Sequence, residues 1–153
     1  SMFGKAYKYP NVIVTRTFSK ALSLASVRLG YLTSNSYLLS KLCKIKNFKD
    51  INQLAQISGK IILENINIIE DNISKLNDIK KEFIDTIKGV RIYDSYANFV
   101  LLEHPMVSKI ISDLRDSKIL VRNRSSYINN SVRITIGKST DMNLISKVIN
   151  KYR

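Results

Sequence analysis

The spacing of apolar and polar positions changes character along the chain. Residues 11–17, Asn-Val-Ile-Val-Thr-Arg-Thr, are β-branched and apolar and predict a buried strand. Residues 27–33 predict a second short strand, and the turn between the two carries Ser19, Lys20 and small side chains. From residue 35 to about residue 87 the pattern becomes helical. Leu54, Ile57, Ile61 and Ile62 begin an apolar stripe that Ile69, Ile73, Leu76, Ile79, Phe83 and Ile87 continue at spacings of three and four. No proline interrupts residues 52–88 and only Gly59 weakens the run, so one long helix is predicted there, stopped by Gly89. A helix that long usually connects two substructures.

After Gly89 the signals alternate. Strands are expected at 90–93, 97–103, 119–123 and 131–137, with one helix opened by Pro105 and running to about 117. Ser139 or Thr140 is expected to cap a final helix ending near Tyr152. The expected fold is therefore mixed. An α/β strand–turn–strand piece comes first and a long connecting helix follows. A small α+β unit closes the chain, with an antiparallel sheet and helices on one face.

Composition narrows the class. Of 153 residues, 44% are apolar and 24% charged, which suits a globular protein and is too apolar for disorder. The net charge of +13 is unevenly placed, since Asp50 is the first acidic residue after nine lysines and arginines. Such a segment suits nucleic acid, an acidic membrane surface, or one side of a larger protein whose acidic complement lies elsewhere. The lysines are interleaved with core-like apolar residues and form no aromatic-studded stripe, which favours the last reading. No apolar run approaches the roughly 20 residues that cross a bilayer. Ser1-Met2 reads as a cloning remnant, and no signal-peptide pattern opens the chain. Cys43 is the single cysteine and has no disulfide partner within the chain, so a cytoplasmic location is expected.

Residues 11–31 carry the chemistry. They run Asn-Val-Ile-Val-Thr-Arg-Thr-Phe-Ser-Lys-Ala-Leu-Ser-Leu-Ala-Ser-Val-Arg-Leu-Gly-Tyr. This segment resembles the lysine segment of fold-type I pyridoxal 5′-phosphate aminotransferases, the histidinol-phosphate aminotransferase branch in particular. Ser26 departs from the glycine usual there, which bears on the backbone of the turn. The resemblance implies that Lys20 is the covalent anchor of pyridoxal 5′-phosphate and the catalytic base. It implies that Thr17, Ser19 and Arg28 bind the cofactor phosphate. An amine at the end of a buried strand is partly desolvated, which favours the neutral nucleophile. A guanidinium offers the phosphate a planar, permanently charged fork, and Gly30 lets the chain pass close by.

Two later segments resemble the same family. Ser95-Tyr96-Ala97-Asn98-Phe99-Val100 is similar to a small-domain strand, and Ile119-Leu120-Val121-Arg122 with Val132-Arg133-Ile134-Thr135-Ile136-Gly137 to its C-terminal strands. By that resemblance Arg133 holds the substrate α-carboxylate, and Arg122 lies near the distal end, where a phosphate could sit. The implied division is 1–34 as part of a large cofactor domain, 35–88 as a helical connector and 89–153 as a small domain. The implied partners are an amino donor, a 2-oxo acid acceptor and a second copy of the chain, without nucleic acid or membrane. A decarboxylase of a phosphorylated amino acid on the same scaffold is the near alternative, and a basic nucleic-acid-binding module the distant one.

Other features carry less. Gly137-Lys138-Ser139-Thr140 invites a Walker A reading, but Val132 stands where that loop needs a glycine. His104 is the only histidine, so no histidine-based metal cluster can form, and it is expected to shape the turn before Pro105. Cys43 reads as a small helix residue; Glu70, Asp71, Asp113 and Asp116 read as solvated helix positions.

The family's aspartate that faces the pyridine nitrogen would precede Lys20, where this chain has no acidic residue. Tyr7 sits too close to the strand to match the tyrosine that follows that aspartate. The chain therefore reads as the C-terminal portion of a family member. By itself it is expected neither to hold the cofactor tightly nor to transaminate. Borohydride reduction of the 153-residue chain with the cofactor should leave only a minor labelled fraction; near-stoichiometric trapping contradicts this.

Overall fold

A computed structural model describes residues 2–45 and 51–153. The chain divides into two compact units, residues 1–70 and 71–153. The part of the expected helical stretch at 46–50 lies outside the described residues, as does Ser1.

In the first unit a 3₁₀ turn, Phe3–Lys8, precedes strand β1 (Val14–Thr17), which pairs antiparallel with β2 (Gly30–Thr33). Two helices follow, α1 (Ser36–Ile45) and α2 (Gln53–Glu64). Each starts at an asparagine whose side chain accepts an otherwise unpaired amide: Asn35 Oδ1 from Leu38 at 2.9 Å, and Asn52 Oδ1 from Ala55 at 2.8 Å. Asn35 also donates from Nδ2 to the Tyr9 carbonyl at 2.6 Å, and Ser34 donates to the Val12 carbonyl at 2.6 Å. These bonds tie the entry to α1 back onto the segment that leads into β1.

Two expectations are corrected here. The single helix over 52–88 is two, because α2 stops at Glu64 and α3 (Ile66–Thr86) begins after Asn65. Asn65 has φ −118° and ψ 33°, its N–H is shared between the Ile61 and Ile62 carbonyls, and its side chain also donates to Ile61. An asparagine side chain that competes for the helix's own acceptors ends the run. Gly59, the apparent weak point, lies inside α2 and is buried. The second correction concerns β1, which is exposed except for half-buried Val14. A two-stranded ribbon has no further strand on either edge among the described residues, and little covers its faces.

The second unit holds a four-stranded antiparallel sheet in the order β3–β4–β6–β5. Its strands are β3 (Arg91–Tyr93), β4 (Phe99–Glu103), β5 (Arg122–Asn123) and β6 (Ser131–Thr135), shorter at their ends than the apolar runs predict. Helices α4 (Val107–Asp116) and α5 (Ser139–Ile149) and the last turns of α3 share its core. Register decides the faces. Val100 pairs with Ile134 and Leu102 with Val132, and all four are buried with Phe83, Ile110, Leu114 and Ile149. Each such side chain contributes about 1.5–3 kcal/mol by leaving water. The alternate residues form the opposite face. The α+β expectation, helices on one side of an antiparallel sheet, matches this arrangement.

Smaller corrections follow from local chemistry. Lys138, not Ser139 or Thr140, stands at the N-cap of α5 and makes no side-chain cap bond; Asp141 supplies the negative charge of the first turn. Asp113 is not simply solvated, because it accepts the Tyr152 hydroxyl at 2.9 Å and lies 3.9 Å from the Lys151 ammonium. His104 is buried and accepts the Met106 amide on Nδ1 at 3.0 Å, so it does shape the turn around Pro105.

Hydrogen bonding to Asp113, with burial adding to it, raises the Tyr152 hydroxyl above its ordinary 10.0. Glu103 raises Tyr93 in the same way. The folded state then holds these protons more tightly than the unfolded chain. Their contribution is complete below the unfolded value and is lost as pH rises through the folded one. Urea midpoints should therefore fall above about pH 10, and Tyr152→Phe should make that fall shallower while leaving Tyr93's share.

Candidate active site

β1 delivers Thr17 to the start of a tight loop. The Phe18 amide donates to the Leu29 carbonyl at 3.1 Å and the Leu24 amide to the Phe18 carbonyl at 2.9 Å. The loop is thus closed at its base on a residue whose ring is buried. Inside it, the Ser23 amide donates to the Lys20 carbonyl at 2.9 Å, a turn with Lys20 at its first corner. Thr17 and Ser19 are brought together: Thr17 Oγ1 donates to Ser19 Oγ at 2.9 Å and accepts the Ser19 amide at 3.0 Å. Lys20 itself is exposed, so the desolvation expected of a buried strand end is not supplied by the residues around it here.

The return limb is shaped by two backbone constraints. Arg28 has φ 55°, a left-handed conformation unusual for a long side chain, and its Nη1 donates to the Ala25 carbonyl at 3.3 Å. Ser23 is left-handed too, at φ 57°. Gly30 pairs with Thr17, and a Cβ there would meet the Arg16 carbonyl oxygen at 2.9 Å. That close backbone approach is what the missing side chain permits. A similar approach occurs where α2 crosses the loop base, since a Cβ on Gly59 would lie 2.6 Å from Leu29 Cδ2.

In the second unit Arg122 and Arg133 are direct cross-strand partners on β5 and β6, on the face away from the core. Leu101 and Tyr93 complete the same row across the sheet. Like charges placed opposite each other destabilise a sheet unless an anion lies between them. The Arg133 guanidinium lies 4.9 Å from the Phe99 ring centroid, and its Nε is buried without a hydrogen-bond partner among the described residues. A buried donor left unpaired costs free energy that an acceptor would recover. Phe99 was visible in the sequence only as part of a motif. Its role under Arg133 depends on register, which composition does not reveal.

Of the residues singled out from the sequence, Thr17, Ser19, Lys20 and Arg28 share the loop of the first unit, while Arg122 and Arg133 share a sheet face of the second. No group of three or more histidine, cysteine or acidic side chains placed to hold a metal occurs among the described residues. No helix among them is long and apolar enough to cross a membrane.

The fold, of which this chain holds a part, is the one fold-type I aminotransferases share. The chain belongs to the aminotransferase class I and II family, whose model matches residues 3–149. It is similar to a dihydroxyacetone phosphate transaminase of Campylobacter jejuni, 34% identical over 148 residues, covering 93% of this chain and 40% of the relative. It is 35% identical over 153 residues to a histidinol-phosphate aminotransferase of Lactococcus lactis, covering 95% of this chain and 42% of the relative. A solved decarboxylase from Sulfurospirillum multivorans superposes with a TM-score of 0.78 at 27% identity, covering 99% of this chain and 46% of that one. The chain spans less than half the length of the relatives it matches.

Gly30→Ala should force the β1–β2 pair apart at Arg16 and cost about 1–3 kcal/mol, as overpacking against backbone does. Urea denaturation measures the loss, and faster hydrogen exchange at the Phe18 amide locates it.

Proposed function

We propose that this chain supplies the cofactor lysine and the substrate-binding arginines of a pyridoxal 5′-phosphate-dependent aminotransferase. The whole protein exchanges an amino group between a small amine or amino acid, phosphorylated where Arg122 is used, and a 2-oxo acid. The observation that carries the reading is the closed loop at the end of β1. There Lys20 is exposed beside the hydrogen-bonded Thr17–Ser19 pair, in a 49-residue stretch without a carboxylate.

The donor set suits the cofactor. Two hydroxyls and the Arg28 guanidinium are acceptable partners for a phosphate dianion, and a primary amine is the group an aldehyde requires. When bound, pyridoxal 5′-phosphate supplies an electron sink for charge developing at the substrate α-carbon. The chain's own residues do the rest. Lys20 anchors the cofactor, and its released amine moves the α-proton. Thr17, Ser19 and Arg28 hold the phosphate. Arg133 orients the substrate through its carboxylate, which provides the acceptor that buried Nε lacks. Arg122, its cross-strand partner, takes a second anionic group at the distal end.

The same reading divides the chain functionally into 1–34, part of the cofactor domain, 35–88, a connector, and 89–153, the small domain. It makes the whole protein a cytoplasmic homodimer. The single cysteine, Cys43, exposed on α1 and without a disulfide partner in its chain, fits that setting.

The similarity to a decarboxylase supports a second reading, in which a phosphorylated amino acid loses carbon dioxide. Product analysis decides between the two. The whole protein, given the cofactor, amino-acid phosphates and 2-oxoglutarate, should form glutamate and a new carbonyl compound without releasing carbon dioxide. Released carbon dioxide without glutamate would establish the decarboxylase instead. Arg133→Lys replaces a bidentate fork with a point charge; KM for the amino donor should rise about tenfold or more, with a smaller change in kcat. An unchanged KM removes Arg133 from the substrate site.

A further inference from the structure

The turn at residues 95–98 leads directly into Phe99, the ring beneath the Arg133 guanidinium. Apolar burial does not hold this turn. Tyr96 is fully exposed at 109%, and Ala97 and Asn98 are exposed as well. Polar bonds hold it instead. The half-buried ammonium of Lys80, on α3, donates to the Ser95 carbonyl and to the Ala97 carbonyl, the latter at 2.9 Å. Ser95 Oγ donates to the Phe99 carbonyl at 2.7 Å and accepts the Ala97 amide at 3.2 Å. The Ile136 amide closes the far side by donating to the Asn98 carbonyl at 2.9 Å.

Lys80 makes no ion pair with another described residue. Its charge is directed at two backbone carbonyls, and hydrogen bonds from a charged donor are the stronger kind. A lysine on an amphipathic helix ordinarily keeps its head in water. This one is turned onto the turn that sets where the Phe99 backbone, and with it the ring, meets β6. Arg133 Nε has no hydrogen-bond partner among the described residues, and the guanidinium lies against that ring.

We infer that Lys80 is a positioning residue for the carboxylate anchor: it clamps the 95–98 turn, which places the Phe99 ring, which orients Arg133. The inference rests on the reading of Arg133 as the carboxylate-binding residue. Lys80 touches neither cofactor nor substrate in this role. It therefore governs the affinity for carboxylate substrates and leaves the proton-transfer step to Lys20.

The test uses nitrogen-15 spectra of the arginine side chains in the 153-residue chain. In the unaltered chain the Arg133 Nε–H signal should be shifted by the Phe99 ring and should exchange slowly with water. Lys80→Met should move it towards the signals of exposed arginines and speed its exchange on the order of tenfold. Lys80→Arg, which keeps a cation with several donors, should restore most of the shift. Lys81→Met, which removes the adjacent exposed lysine, should change nothing. Backbone amide signals of Leu102 and Ile134 report whether the core is intact. Should Met disturb them, Lys80→Gln gives the same readout with a neutral donor. An unchanged Arg133 signal and exchange rate in a folded Lys80 variant overturns the inference.

Titration of the whole protein, given the cofactor, with 2-oxoglutarate separates this failure from failure of the reading beneath it. If Arg133→Lys binds as well as the unaltered protein, or the unaltered protein shows no saturable change at Arg133, the carboxylate assignment fails. If Arg133→Lys weakens binding and Lys80→Met does not, only the role of Lys80 fails.

Discussion

The pairing of β4 with β6 is the constraint on which the second unit depends. Val100 opposite Ile134 and Leu102 opposite Val132 place four branched side chains in the core. The same register places Leu101 opposite Arg133 and Phe99 opposite Thr135 on the other side. Side-chain direction alternates with period two, so a slip of one residue would bury a guanidinium and expose the core. The hydrophobic effect that holds the sheet to its helices therefore also keeps Arg133 on the face away from the core. The placement of Arg122 and Arg133 on one face comes as a by-product of core packing.

The first unit obeys a different rule. Its ribbon has little core of its own, and its geometry comes from backbone constraints. Gly30 permits the Arg16 carbonyl to approach, Arg28 accepts a left-handed backbone, and the Phe18 amide and carbonyl close the loop on both sides. These contacts hold Thr17 and Ser19 against each other while Lys20 stays at the surface. The position of the Lys20 main chain is thus defined by a loop anchored on a strand pair.

Much of this could be read from the residues alone. The strand–lysine–turn segment, the antiparallel sheet backed by helices and the placement of Arg122 and Arg133 on strands of that sheet are all carried by local pattern and by motif. What escaped depends on competition or on distant partners. Asn65 breaks the long helix because its side chain competes with the backbone for the Ile61 carbonyl, while the more obvious Gly59 stays helical to let Leu29 approach. The exposure of β1 depends on what surrounds the ribbon, and periodicity cannot report that. The Arg133–Phe99 stack requires the β4–β6 register, and the anchoring of Tyr152 by Asp113 joins residues 39 positions apart.

The central claim is that Lys20 is the covalent anchor, and peptide mapping of the whole protein after borohydride reduction tests it most directly. The account predicts about one pyridoxyl group per chain, on Lys20. A label spread over exposed lysines such as Lys5, Lys8 and Lys41, or concentrated on any lysine other than Lys20, would contradict it.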